Sequence, residues 1–165
     1  MNISNLKISE TAGKYNVVGD LDINEIIELA QKLASHKLRK GAKFNSPSAV
    51  VDYLRMIYST KEHEEFAIIY LDTQNRVIEL ETLFNGTIAA ASVYPREIVK
   101  SVLNKNAASV ILCHNHPSGL AEPSRADELI TTKIQNALRL IDVDVLDHII
   151  VGTDNTVSFA ERGKL

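Results

Sequence analysis

Two periodicities divide the chain. Apolar residues recur at helical spacing through Ile23, Ile26, Ile27, Leu29, Ala30, Leu33 and Leu38, and Asp22 or Asn24 stands where a cap would start that helix. Residues 1–19 are polar and weakly patterned, which predicts loop or at most a short strand and little chemistry. The basic stretch from Lys37 to Lys43 carries Gly41 and predicts a helix end and linker. Ser46-Pro47 then has the form of an N-cap with proline at the first helical position, and Val50, Val51, Leu54, Ile57 and Tyr58 supply the stripe of a second helix. The apolar face of the 20–40 helix would pack on its own domain or on a second chain.

Strand signals follow. Phe66 to Leu71 is apolar and β-branched, Asp72-Thr73-Gln74-Asn75 is turn chemistry, and Arg76 to Leu80 predicts the returning strand. Asn85-Gly86 marks another turn before a strand-like run from Thr87 to Val93. Pro95 opens a helix to about Asn106. Ala108 to Cys113 is a short continuous apolar run, the pattern of a strand buried on both faces. Ser124 opens a helix to about Leu140, Val145 to Gly152 is a further strand, and Val157-Ser158-Phe159 supplies a last one. Helices and strands interleave without internal repeats. The class is α/β (or α+β), a mixed sheet between helices, with residues 1–42 as a short helical N-terminal extension and 43–165 as the main domain.

Composition narrows the function. A hydrophobic fraction of 45% over 165 residues suffices for a packed core. A net charge of −3 gives no push toward nucleic acid or an anionic membrane. Cys113 is the single cysteine, so neither an internal disulfide nor a CxxC zinc pair can form. The first residues lack an apolar signal core, and no apolar run approaches the ~20 residues that span a bilayer. Together these favour a cytoplasmic location.

The chemistry concentrates at His114-Asn115-His116-Pro117 and, eleven residues after His116, Asp127. On a strand, residues i and i+2 share a side, so both histidines can face one ion while Asn115 points away. Pro117-Ser118-Gly119 turns the chain, and Ser124 would cap the next helix with Asp127 at N3. Two histidines, one carboxylate and a water form the catalytic zinc pattern rather than the structural one. Taken alone, Ser124 and Asp127 look more like a capping box than a ligand site, and a lone HxH is weak. The combination at the end of an apolar strand is stronger than its parts.

The pattern His-x-His-x7-Ser-x2-Asp, met by His114, His116, Ser124 and Asp127, resembles the JAMM metal motif of MPN/JAB domains. Leu83-Phe84-Asn85-Gly86-Thr87, Pro95-Arg96-Glu97, Asn106-Ala107-Ala108, the run from His114 to Gly119, Pro123 to Asp127 and Asp147 to Gly152 resemble the RadC branch. The resemblance covers about residues 45–165. It implies an MPN/JAB-like (cytidine-deaminase-like) fold, a curved mixed sheet packed by helices. It also implies a zinc ion on His114, His116 and Asp127, and hydrolysis of peptide or isopeptide-linked protein substrates. By the same resemblance an upstream glutamate is the general base. Glu65, directly before the first core strand, matches that place, with adjacent Glu64 as the one-residue alternative. Ser124 would position the water or stabilise the oxyanion.

Other residues carry less. His148 could support the metal from behind, but a hydrogen-bonded structural histidine is the simpler reading. His36 and His63 look like surface residues, and Cys113 like a small buried hydrophobe. Glu122 is a spare acid at best, and Ser118 and Asn115 could line the mouth or merely build the turn. Lys37, Arg39, Lys40 and Lys43 read as a solvated helix end. Two alternatives to the hydrolase stand. One is a metal-dependent nuclease or DNA-repair-associated protein, which the family's name suggests. Longer relatives carry a helix-hairpin-helix segment that residues 1–45 do not resemble, so this is expected to be a short form. The other is a non-catalytic MPN assembly module, which would typically have lost ligands. A zinc deaminase is excluded, because one cysteine cannot build its Pro-Cys-x-x-Cys half.

Overall fold

The computed structural model describes residues 6–8, 15–17, 20–37, 47–58, 61–86 and 93–165. They fall into two compact units, Met1–Lys37 and Leu38–Leu165. In the first, β1 (Leu6–Ile8) pairs antiparallel with β2 (Tyr15–Val17), and α1 spans Ile23–Lys37. Asp22 caps α1: its Oδ1 accepts the backbone N–H groups of Asn24 and Glu25, while Glu25 accepts that of Asp22.

The second unit is a five-stranded mixed sheet between helices, the α/β class that the sequence predicts. Its elements are α2 (Pro47–Tyr58), β3 (Glu65–Leu71), β4 (Val77–Asn85), α3 (Pro95–Lys105), β5 (Ser109–Asn115), α4 (Arg125–Arg139), β6 (Asp144–Val151) and β7 (Thr156–Ser158). The sheet order is β4-β3-β5-β6-β7. All pairs are antiparallel except β5–β6. A parallel pair needs a long crossover, and α4 provides it.

Alternation along β3 and β5 sorts the core into two layers. Ala67, Ile69, Leu71, Ile111 and Cys113 pack with Val50, Leu54 and Tyr58 of α2. On the other face Phe66, Ile68, Tyr70, Val110 and Leu112 pack with Ile98 and Val102 of α3 and Ile134 and Leu138 of α4. β5 is central and buried at every residue.

Two of the boundaries that differ from the sequence reading bear on the site and its sheet. β4 runs to Asn85 rather than stopping at Leu80, because it pairs with all of β3, absorbing two register shifts on the way. β5 includes His114 and Asn115, so only His116 lies beyond its end. The run from Thr87 to Ser92, the Ser46 cap and the basic segment after Lys37 lie outside the described residues, as does the His36 side chain. No helix among the described residues is long and apolar enough to cross a membrane.

Candidate metal centre

The candidate site lies where β5 ends and α4 begins. In parallel α/β units, ligands gather at the carboxyl ends of strands and at helix N-termini, where the helix dipole also favours a carboxylate. His114 Nε2 and His116 Nε2 approach to 3.0 Å. Asp127 Oδ1 is 3.3 Å from His114 Nε2, and its Oδ2 is 3.7 Å from His116 Nε2. These three residues form a group that could hold a metal ion. Ligand atoms about 2.0–2.1 Å from a tetrahedral zinc lie about 3.3 Å from one another. The His114–His116 and His114–Oδ1 separations lie near that edge and His116 meets the other carboxylate oxygen somewhat beyond it, so a donor set of two imidazoles and a carboxylate fits the ion.

α4 aims the carboxylate. Ser124 is the N-cap, and Asp127 at N3 completes a capping box. Asp127 Oδ2 accepts from the Ser124 backbone N–H at 2.7 Å and from the Ser124 hydroxyl at 2.6 Å, and Ser124 Oγ accepts the Asp127 N–H at 3.2 Å. That leaves Oδ1 toward His114. Capping and facing His114 are therefore compatible, because Oδ2 makes the cap while Oδ1 turns to His114. Burial opposes ionisation of Asp127, but hydrogen bonds from His114 and His116 in their protonated form, the charge of His114 and the Ser124 hydroxyl outweigh it. They hold the carboxyl far below the usual carboxylate range.

The 117–121 loop orients His116. A backbone carbonyl only accepts, so the 2.7 Å contact between His116 Nδ1 and the Leu120 oxygen places the ring proton on Nδ1 and leaves Nε2 bare. The loop itself is pinned. Gly119 (φ +92°) donates to the His116 carbonyl and accepts from Thr153 N, and Ala121 N donates to Asn155 Oδ1. Gly152 lets this loop approach, since a Cβ there would sit 2.3 Å from the Gly119 oxygen. The Asp127 hydrogen bond, with Leu120 and Glu64 adding to it, raises the His116 pKa against the opposing effect of burial. His114 is buried, whereas the side chains of His116 and Asp127 remain 17% and 15% exposed, so the site opens on their side.

The two candidate bases part company in the strand register. Phe66 pairs with His114, and their rings stack at 6.0 Å, so Phe66 lies on the metal-facing side of β3. Glu65, the expected base, is one residue earlier and belongs to the opposite face. Its carboxylate pairs with Lys61 at 2.7 Å and accepts from Thr82 at 3.5 Å. Glu64 returns to the side of the histidines, where its charge acts on His116. Asn115 holds it there: Oδ1 accepts from Glu65 N at 2.8 Å, and Nδ2 donates to the His63 carbonyl at 2.9 Å, bracketing Glu64. The Glu64 carbonyl also accepts from Gly86 N. Asn115 is thus a buried clamp rather than a residue of the mouth.

Of the residues set aside in the sequence, His148 lies against the site. Its Nε2 is 2.8 Å from His114 Nδ1, and its Nδ1 is 2.6 Å from Thr131 Oγ1. Burial, reinforced by His114, holds its pKa well below the ordinary histidine value. Thr131 has one signal in the sequence: it stands four residues after Asp127 on α4 and therefore on the same helix face. Cys113 is fully buried on the α2 face, and burial pushes its thiol up to about 12. Glu122 is exposed and paired with Arg162 at 2.7 Å, and His63 and Ser118 are exposed.

The family model described as the RadC-like JAB domain matches residues 44–164. The chain is 55% identical over 143 residues to a UPF0758 protein of Pseudoalteromonas translucida, covering 87% of this chain and 64% of that protein. It is 57% identical over 136 residues to a UPF0758 protein of Shewanella amazonensis, covering 82% and 60%. With a UPF0758 protein of Methylibium petroleiphilum the identity is 48% over 168 residues, covering 99% and 76%. The chain thus spans less than two thirds of the length of the first two relatives.

Proposed function

The chain belongs to the family of RadC-like JAB domains, and on that footing we propose that it is a zinc-dependent hydrolase of the JAMM type acting on peptide or isopeptide bonds. The observation that carries this reading is the convergence of His114 Nε2, His116 Nε2 and the Asp127 carboxylate, each within 4.8 Å of the others, beside an open side. His114, His116 and Asp127 are the ligands in this reading. The chemistry a zinc ion supplies there is Lewis acidity toward the scissile carbonyl and a water acidic enough to act as nucleophile near neutral pH.

The chain's own residues do the rest. Glu64, rather than Glu65, takes the proton from the attacking water and returns it to the departing amine, because it precedes β3 on the side of Phe66, its charge acts on His116 and its backbone is clamped by Asn115. Ser124 serves the site through Asp127, holding Oδ2 so that Oδ1 keeps its aim. Leu120, 72% exposed beside the carbonyl that orients His116, offers an apolar contact to a substrate side chain at the mouth.

The test compares Glu64→Gln with Glu65→Gln on a panel of peptide and isopeptide-linked substrates, with zinc content measured in parallel. Glu64→Gln is expected to keep zinc and lose on the order of 10²–10⁴-fold in turnover, the usual contribution of a positioned base. Glu65→Gln should stay within a few-fold of the unaltered protein. Undiminished turnover in Glu64→Gln would sink the assignment.

A further inference from the structure

A line of hydrogen bonds runs behind the candidate ligands, from the Asp127 backbone to His114. Thr131 Oγ1 lies 2.6 Å from the Asp127 carbonyl and 2.6 Å from His148 Nδ1, and His148 Nε2 lies 2.8 Å from His114 Nδ1. Thr131 and His148 are both buried, so these groups have each other rather than solvent as partners. We propose that Thr131 and His148 form a positioning relay that fixes His114 as its Nδ1–H tautomer and so presents a bare Nε2 to the metal.

The direction follows from counting protons. A carbonyl cannot donate, so the one hydroxyl proton of Thr131 goes to the Asp127 oxygen. Thr131 Oγ1 can then only accept from His148, which puts the His148 ring proton on Nδ1. His148 Nε2 is left as an acceptor, so His114 Nδ1 must donate to it. A neutral imidazole with its proton on Nδ1 has its lone pair on Nε2, the atom that faces His116 and Asp127. The opposite polarity would place a proton on His114 Nε2 and block ligation. The Leu120 carbonyl does the same for His116 in one step. Partners of this kind behind ligating histidines typically change metal affinity by about 10–100-fold.

The inference rests on the reading of His114, His116 and Asp127 as metal ligands, and the test separates the two. Zinc affinity is measured by competition with a chromophoric chelator in the unaltered protein, Thr131→Val and Thr131→Ser. Long-range ¹H–¹⁵N correlation spectra of the metal-free protein report which ring nitrogen of His114 and His148 carries the proton. Valine keeps the shape of threonine and removes the acceptor. The buried His148 Nδ1–H then has no partner, the other tautomer gains, and its Nε2–H is donated to His114.

The expected result is zinc binding about 10–100-fold weaker in Thr131→Val, restored in Thr131→Ser, with both histidines Nδ1-protonated in the unaltered protein. A folded Thr131→Val that binds zinc as tightly as the unaltered protein overturns the relay and leaves the metal reading standing. No zinc binding by the unaltered protein overturns both. Should Thr131→Val not fold, the spectrum of the unaltered protein decides: a proton on His148 Nε2 contradicts the relay, and one on Nδ1 upholds it.

Discussion

Asp127 shows how much a single residue can conceal in a sequence. Its spacing from Ser124 signals a helix cap, and its spacing from His114 and His116 signals a metal ligand. The structure satisfies the cap with Oδ2 and turns Oδ1 toward His114. The histidine pair was legible from the i, i+2 rule, and the burial of Cys113 from its place between them and the apolar run. The choice between Glu65, which the sequence favours as base, and Glu64 is harder, because a carboxylate at a strand's start faces either side until the register is known. The pairing of Phe66 with His114 settles the faces. Cys113 makes a test at this scale. With its thiol pushed up to about 12 by burial, it should not react with a thiol reagent at pH 8 unless the protein is denatured. The sign of its pH effect follows. The unfolded chain releases this proton near 9 and the folded one near 12, so between these values the unfolded state holds fewer protons. Stability is full below 9 and declines above it, by at most about 1.4 kcal/mol per pH unit for this group. Burial raises the Tyr58 hydroxyl in the same direction. Urea midpoints measured from pH 8 to 11 check this, and an invariant midpoint would contradict it.

Among elements, β5 and α4 were legible because each obeys one strong rule. β5 is an uninterrupted apolar run, and α4 carries a capping box and a helical stripe. β4 was read too short because its second half, Glu81 to Asn85, is mixed in polarity at a sheet edge and is held by pairing with β3 rather than by its own pattern. The loop from Pro117 to Ala121 was legible as a turn but not as a support for His116. That role depends on a distant glycine. Gly152→Ala would drive a methyl into the Gly119 oxygen, displace the loop and pull the Leu120 carbonyl from His116 Nδ1. Destabilisation of about 1–3 kcal/mol is expected from the overpacking, together with weaker zinc binding. Gly163→Ala is the comparison: nothing lies near its Cβ, so only the cost of a side chain at φ +64° applies, and zinc affinity should not change. Equal zinc affinity in both variants would contradict the role given to the loop.

Across the molecule, the sheet separates two environments. The α2 face is apolar along most of its length, with Cys113 and Tyr58 in contact there, and becomes polar at Glu65, Thr82 and Asn115. The α3–α4 face is apolar for most of its length and turns polar where β5 ends, at His114, His148, Thr131 and Asp127. Alternating helices and strands sufficed to predict this class, and the resemblance to the RadC family sufficed to predict that His114, His116 and Asp127 would meet, though not which glutamate faces them. The hydrogen bonds behind them were not legible, because Thr131 and His148 reach His114 from a helix and a strand that only folding brings together. The central claim is that His114, His116 and Asp127 together hold one metal ion. The most direct measurement is zinc content by elemental analysis of the purified protein, metal-free and after zinc is supplied, beside Asp127→Ala. The account predicts about one zinc per chain, lost in the variant. No zinc in the unaltered protein even after supply, or equal zinc in Asp127→Ala, would contradict it.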